Sequence, residues 1–298
     1  MKLEDFYQEE KDILGEPQLI DGFPFYPIKL FDTDQANTMR FLLARDKMEF
    51  VKKREMPFDG VKEIYKTSSY LRAMLYGYSF NNINMYYYIL NRIQDFLCYI
   101  CQIDNDKEDN GIAIITRLDI VNPLDIFTTP LYIILQKEDR KMKIDDEMFD
   151  IIRKCILKQS GISLKSLEGY NEEMEKLKID KYKSEVSMSF SDEIFSFIAM
   201  SGMDIYNESF RRYTLYQFKY HFGYLQQYID YKSLYPLQAS GQVKFGSPIK
   251  YYLEPLNFDK GRYDDLLIKA DDFAQSGIAK SVDSFNIPDN KINKTGGR

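Results

Sequence analysis

The sequence has no tryptophan, one histidine (His221) and three cysteines in 298 residues. With one histidine and no G-x-S-x-G run, no Ser-His-Asp triad is legible. Neither G-x-x-x-x-G-K-[ST] nor G-x-G-x-x-G occurs, so the phosphate-cradling loops of those kinds are absent, and Lys294-Thr295-Gly296-Gly297 lacks the flanking strand and helix that such a loop needs. Three cysteines fit a reducing compartment better than a disulfide framework. Cys98 and Cys101 form a C-x-x-C within helical apolar residues, and beyond carboxylates only Cys155 and His221 could complete a zinc site, so buried structural thiols are the expectation. No apolar run approaches the roughly 20 residues of a membrane span, and Met1-Lys2-Leu3-Glu4-Asp5 lacks the apolar core of a signal peptide. The expectation is a soluble, cytoplasmic protein with no membrane partner.

Charge of one sign does not dominate. Forty basic residues against 46 acidic give a net charge of −6, which disfavours nucleic-acid or anionic-membrane binding. Lys52-Lys53-Arg54 is the one compact basic run and reads as a solvated helix end. The acidic pairs Asp145-Asp146, Asp264-Asp265 and Asp271-Asp272 could serve a carboxylate metal site only if the fold gathered them. Each reads better as a helix cap or first-turn acid. No cofactor, metal ligand or catalytic residue is expected, and the chain reads as a non-enzyme.

What the sequence has in quantity is tyrosine and phenylalanine, 24 and 21 residues. Tyrosine buries area yet tolerates water at its hydroxyl, so it serves wet interfaces as well as core; a drift toward AT-rich codons accounts for the same content. The richest stretch is Ser189 to Tyr231. Thr214 and Gln217 form a T-x-x-Q capping box, and Leu215, Phe218, Phe222, Leu225 and Ile229 follow at helical spacing. Tyr216, Tyr220, Tyr224 and Tyr228 make a second stripe at steps of four. That stripe is either the edge of a wide core face or a partner-binding face, since anchor rows of this kind serve helix-in-groove contacts. His221, one position off the apolar stripe, reads as a packed or solvent-edge residue.

In chain order, residues 1–14 read as a short surface helix closed by Gly15 and Pro17. Asp21 to Pro27 reads as a turn and an extended segment. Asp32 or Thr33 caps a helix through about Glu55. A second runs from Val61 to about Tyr76, ended by Gly77, and a third from Asn81 or Asn82 to about Ile103. Met85-Tyr86-Tyr87-Tyr88 covers several faces of this third helix, which places it in the core or at an interface. Ile112–Thr116 and Leu131–Leu135 read as strands, with a turn at Lys137–Arg140 and a return strand over Lys141–Ile144. Asp145 or Asp146 then caps a helix stopped near Gly161. Residues 164–184 read as an exposed helix or arm. Ser189 or Ser191 caps the next helix, ended by Gly202, and Asp204–Tyr213 reads as a linker. Pro236 and Gly241 end the tyrosine-bearing helix, Val243–Leu253 reads as extended, and Tyr263–Gln275 as a last helix. The fold class is mainly α with a small β-hairpin insertion (α+β): a bundle-like helical region over 1–110, an α+β insertion over 111–162, a C-terminal helical pair within 163–275 and a flexible tail over 276–298.

Residues 186–256 run as an amphipathic helix, an acidic linker, Tyr213-Thr214-Leu215-Tyr216-Gln217-Phe218, a long helix, Ala239-Ser240-Gly241 and an extended segment. This layout resembles the C-terminal part of tail-assembly proteins of tailed bacteriophages of Gram-positive hosts, where a T-L-x-Q/E-F helix start precedes a helix ending in small residues. Residues 131–161, a hairpin and an acidic-capped helix ending Lys158-Gln159-Ser160-Gly161, are similar to segments of the same proteins. The resemblance covers about a third of the chain. It implies a non-enzymatic factor that binds a tape-measure or other tail protein in the host cytoplasm, with Tyr216, Tyr220, Tyr224 and Tyr228 as the candidate contacts. The alternatives are a structural virion protein of neck, tail or baseplate and, from a different class, a carboxylate-metal hydrolase or nuclease. A homo-oligomer stays open.

Overall fold

The computed structural model describes residues 11–32, 34–50, 67–79, 82, 84–103, 111–116, 123–165, 171–182, 189–204, 208–241, 249 and 251–256. Over these residues the protein is mainly helical, with a two-stranded antiparallel hairpin and a three-stranded antiparallel sheet. The elements are β1 (Gln18–Ile20), β2 (Phe23–Phe25), α1 (Asp34–Leu43), a 3-10 turn (Lys47–Phe50), α2 (Tyr70–Ser79), α3 (Asn84–Cys101), β3 (Gly111–Thr116), a second 3-10 turn (Pro123–Phe127), β4 (Leu131–Lys137), β5 (Arg140–Ile144), α4 (Asp146–Gln159), α5 (Glu172–Tyr182), α6 (Phe190–Ser201), α7 (Glu208–Arg211) and α8 (Leu215–Ala239).

α3 is the central element, with α1, α2, β2 and β3 all packed against it. It buries Leu90, Ile93, Leu97, Ile100 and Cys101, which helical spacing marks, together with Tyr86, Ile89 and Phe96, which it does not. Tyr87, marked in the same row, is exposed, and Ile83 lies outside the described residues. Tyr87 and Tyr88 face outward, so the Met85–Tyr88 run straddles core and surface. Asn82, one of the two expected caps, accepts from the amide of Asn84 through Oδ1. The sheet order is β3-β4-β5. Strict alternation along β4 puts Leu131, Ile133 and Leu135 into the core, where Ile133 pairs with Ile144 and Leu135 with Met142. Asp145 caps α4 by accepting from the amide of Met148 at 3.0 Å, and Asp146 sits in its first turn. The buried apolar residues form one cluster from Phe23 to Phe222, with members from each of the ranges 1–110, 111–162 and 163–275.

Several boundaries differ from expectation. The Asp21–Pro27 stretch is the second half of a hairpin. Asp21 (φ 48°) and Gly22 (φ 77°) both take the left-handed conformation that a two-residue β-turn requires, and Gln18–Ile20 is the paired strand. α1 stops at Leu43 instead of continuing to Glu55, because side chains from elsewhere in the fold take its last carbonyls. Tyr70 donates to Leu42 at 2.6 Å, and Arg153 donates from Nε to Leu43 at 2.8 Å. Of the second expected helix, residues 61–66 lie outside the described residues; Ser68 and Ser69 are not helical, and α2 starts at Tyr70, with Ser69 Oγ accepting from the amide of Arg72 in its first turn.

Gly77 does not end α2, which continues to Ser79. Its role is close approach: a Cβ at Gly77 would lie 2.5 Å from Cβ of Phe50. The Asp204–Tyr213 linker contains α7, a single turn that buries Phe210. Pro236 lies inside α8, which runs on to Ala239. On that exposed stretch water can satisfy the Lys232 carbonyl that loses its helical donor. Tyr251–Glu254 is a turn, closed by the amide of Glu254 on the carbonyl of Tyr251 at 2.9 Å, where the sequence reads as extended. The expected helix over 263–275, the tail and Lys52-Lys53-Arg54 lie outside the described residues.

Candidate protein-binding surface

α8 is two structures in one helix. Its first turn is pinned from several directions. Thr214 Oγ1 accepts from the amide of Gln217 at 3.2 Å, while Gln217 Oε1 accepts from the amide of Thr214 at 2.9 Å. This is the reciprocal box that the sequence announces. Gln217 Nε2 also donates to the carbonyl of Ile13 at 2.8 Å, and the extended segment before α1 is bonded here through Leu30 to Tyr213 and through Leu215 to Ile28. Leu215, Phe218 and Phe222 point into the core. There Phe197 of α6 meets Phe218 edge-on at 5.5 Å and stacks on Phe210 at 5.7 Å, so a phenylalanine cluster joins α6, α7 and α8. α6 is itself fixed by a capping box between Ser189 and Asp192 and by Gly202 at φ 68°. Hydrogen bonds from the Ser189 side chain and backbone hold the Asp192 carboxyl below its ordinary value.

The distal half of α8 has no such seat. At 1.5 Å per residue the helix is about 37 Å long, and from Tyr224 onward no side chain of it is fully buried. The tyrosine stripe is therefore divided. Tyr216 is only 5% exposed and stacks on Tyr220, ring centroids 4.3 Å apart, whereas Tyr224 and Tyr228 are 38% and 42% exposed. Of the four residues named from the sequence, Tyr224 and Tyr228 present surface, Tyr220 is half-buried and Tyr216 is core. Leu225 and Ile229, expected to continue the core stripe, are also only half-buried.

The surface is completed by residues that the step-of-four row missed. Tyr231 stacks on Tyr235 at 4.8 Å and meets Tyr251 and Tyr252 at 5.4 Å, while Tyr228 meets Tyr252 edge-on at 5.5 Å. Gln227 Nε2 holds this strap by donating to the carbonyls of Tyr251 at 2.7 Å and Glu254 at 3.2 Å. A hydrogen bond with Tyr251 raises the Tyr252 phenol. Tyr224, Tyr228, Leu234, Tyr235, Leu237, Tyr251 and Leu253 are all exposed. The i, i+4 pair Tyr231 and Tyr235 was visible in the sequence as another row. The approach of Tyr251 and Tyr252 depends on the chain turning back after α8, for which no local pattern exists.

The other candidate chemistries are placed as follows. Cys98 and Cys101 are buried in α3, and burial pushes the thiols of Cys101 and Cys155 up to about 12. Such thiols are neutral and poor ligands. His221 stands at the surface with its ring edge-on to Tyr213 at 5.2 Å, and its pKa is lowered by burial. Among the described residues no group of three or more His, Cys, Asp or Glu side chains is placed to hold a metal ion.

An open cleft of about 420 Å³ is lined by Lys47, Ser69, Asp146, Asp150, Arg153 and Lys154, among others. Three of its four acids are engaged. Asp146 receives Arg72 and Ser69, both at 2.6 Å, Asp150 pairs with Lys154 at 3.0 Å, and Asp46 caps the first 3-10 turn through the Met48 amide. Asp264-Asp265 and Asp271-Asp272 lie outside the described residues.

The described residues thus define a mainly helical protein whose distinguishing surface is an aromatic helix end, and no helix among them is long and apolar enough to cross a membrane. No protein-family model, curated protein or solved structure matches the chain.

Proposed function

We propose that this protein acts by binding another protein through the distal half of α8 and its strap. The observation that carries this reading is the contrast within one helix: a rigidly seated first half and an aromatic second half that exposes Tyr224, Tyr228, Leu234, Tyr235 and Leu237. Clustered exposed apolar side chains of this kind mark interaction sites, and tyrosine is enriched at such sites because it pairs apolar area with a hydrogen-bonding tip. From Tyr224 to Ala239 the only formal charges are Asp230 and Lys232. Recognition therefore rests on apolar contact and on tyrosine and glutamine hydrogen bonds. The partner that fits is an uncharged apolar face, such as one side of an amphipathic helix.

The resemblance over residues 131–161 and 186–256 supplies the identity of that partner: a tape-measure or other tail protein of a bacteriophage, held by this chain in the host cytoplasm while the tail assembles. In this role the protein is a non-enzymatic, chaperone-like factor. The test is recovery of a tail protein from lysate of the native source, compared with purified particles. Recovery from lysate with absence from particles is the outcome expected of an assembly factor. Stoichiometric presence in particles reassigns the chain to the virion, and no tail protein in either fraction removes the tail-assembly role.

A further inference from the structure

Residues 249 and 251–256 return along α8 on the face that the proposed binding surface uses. The amide of Ile249 donates to Gln238 Oε1 at 3.3 Å, and the carbonyls of Tyr251 and Glu254 accept from Gln227 Nε2 at 2.7 and 3.2 Å. The strap therefore runs from Gln238 back to Gln227, about 16 Å of helix at 1.5 Å per residue. Tyr224, Tyr228, Tyr231 and Tyr235 follow one another at steps of four, three and four, which sets them on one helical face. The strap lies across the middle of that row. Tyr252 meets Tyr228 at 5.5 Å and Tyr231 at 5.4 Å, and Tyr251 meets Tyr231 at 5.4 Å. A partner laid along the row and the strap compete for the same two rings.

The strap is lightly held. None of its described residues is buried, and Tyr251 and Leu253 are 44% and 64% exposed. Its hydrogen bonds to α8 run through the side chains of Gln227 and Gln238. Its turn is closed by its own atoms: the Glu254 amide donates to the Tyr251 carbonyl at 2.9 Å, and Glu254 Oε1 accepts from the Tyr251 amide at 3.3 Å. Segments with few buried contacts and exposed hydrogen bonds open at the lowest free energy. We infer that residues 249–256 are an autoinhibitory strap, a ligand carried by the chain itself that occupies Tyr228 and Tyr231 and that a protein partner of α8 displaces. This rests on the reading of distal α8 as a protein-binding surface and adds how that surface is guarded.

The test is titration of a fluorescein-labelled peptide of residues 249–256, read by anisotropy, with the full chain and with the full chain carrying Tyr251→Ser and Tyr252→Ser. A short linker gives an effective concentration on the order of 1 mM, so a strap closed about nine-tenths of the time corresponds to a Kd of about 0.1 mM for the peptide in trans. The expected result is saturable binding to the double variant at about that Kd or tighter, and binding about tenfold or more weaker to the unmodified chain, whose own strap competes. Adding Tyr231→Ser to the double variant is expected to abolish binding. Equal affinity for the unmodified chain and the double variant overturns the proposal. So does the absence of saturable binding to the double variant, or binding that survives Tyr231→Ser. Circular dichroism confirms that each chain is folded; should the Tyr231→Ser chain fail to fold, the first two titrations decide. The probe replaces the strap alone, so its failure leaves the binding surface of α8 to be judged by recovery of a tail protein.

Discussion

The guanidinium of Arg153 lies over the ring of Tyr70, 3.6 Å from its centroid, and the Tyr70 hydroxyl donates to the carbonyl of Leu42 at 2.6 Å. Arg153 also donates from Nε to Leu43 at 2.8 Å and from Nη2 to Arg45 at 3.3 Å. One stacked pair, from α4 and α2, therefore receives the carbonyls that α1 leaves open at its C-terminus. Burial raises the Tyr70 phenol, so it remains a donor at any physiological pH.

Replacing Arg153 by Met leaves the carbonyls of Leu43 and Arg45 without these donors and removes the ring contact. The expected loss of unfolding free energy is about 2–4 kcal/mol, read from urea denaturation. Arg153→Lys restores little of it, since an ammonium cannot stack on the ring and reach two carbonyls at once. Full rescue by lysine contradicts this account of how α1 ends.

Gly77→Ala forces a methyl to within 2.5 Å of Phe50 Cβ. Alanine gains about 1 kcal/mol of helix propensity over glycine, yet overpacking at a closed contact costs about 1–3 kcal/mol. The net expectation is a destabilised protein. A more stable Gly77→Ala variant would falsify the close approach of the first 3-10 turn to α2.

Lys219 gives a pH signature. Its folded pKa of about 8 lies below the ordinary 10.5. Between those values the unfolded chain holds more protons, so this group makes stability rise with pH. Tyr70, Cys101 and Cys155, raised by burial, act in the opposite sense at alkaline pH. The contribution of Lys219 is isolated as the difference between the unmodified protein and Lys219→Met. That variant is expected to be the more stable at pH 7, with the gap narrowing from pH 8 toward 10. A gap that stays constant over this range contradicts the shifted amine.

The thiols are expected to be inert. With pKa values pushed to about 12, Cys101 and Cys155 hold roughly a thousandfold less thiolate at pH 8 than an ordinary cysteine. Iodoacetamide labelling of the native chain followed by peptide mapping is expected to leave both largely unmodified, with rapid labelling after denaturation. Fast native labelling of Cys101 places α3 outside the core.

Much of this architecture is legible locally. The capping residues Asp145, Ser189 and Thr214, the hairpin turn ending at Arg140 and the apolar stripe of α3 each announce themselves within a few residues, because hydrogen bonds of short sequence separation fix them. The places where sequence and structure part company are governed by distant contacts. α1 ends because Arg153, more than a hundred residues away, takes its carbonyls, and Gly77 is needed because Phe50 presses on it. Phe210 reads as linker until the rings of Phe197 in α6 and of Phe31 before α1 pack on it. At the candidate surface, periodicity marked Tyr224 and Tyr228 and could not tell them from Tyr216, since the depth to which α8 enters the core is set by α6, α7 and the segment before α1.

The most direct test of the binding account is a pull-down from native lysate with the unmodified chain and with Tyr224→Ser, Tyr228→Ser and Tyr235→Ser combined. Circular dichroism and thermal melting confirm that both are folded. The expected result is a phage tail protein recovered by the unmodified chain and lost with the triple variant, whose stability is little changed because all three side chains are exposed. Equal recovery by both chains, or recovery of no tail protein by either, contradicts it.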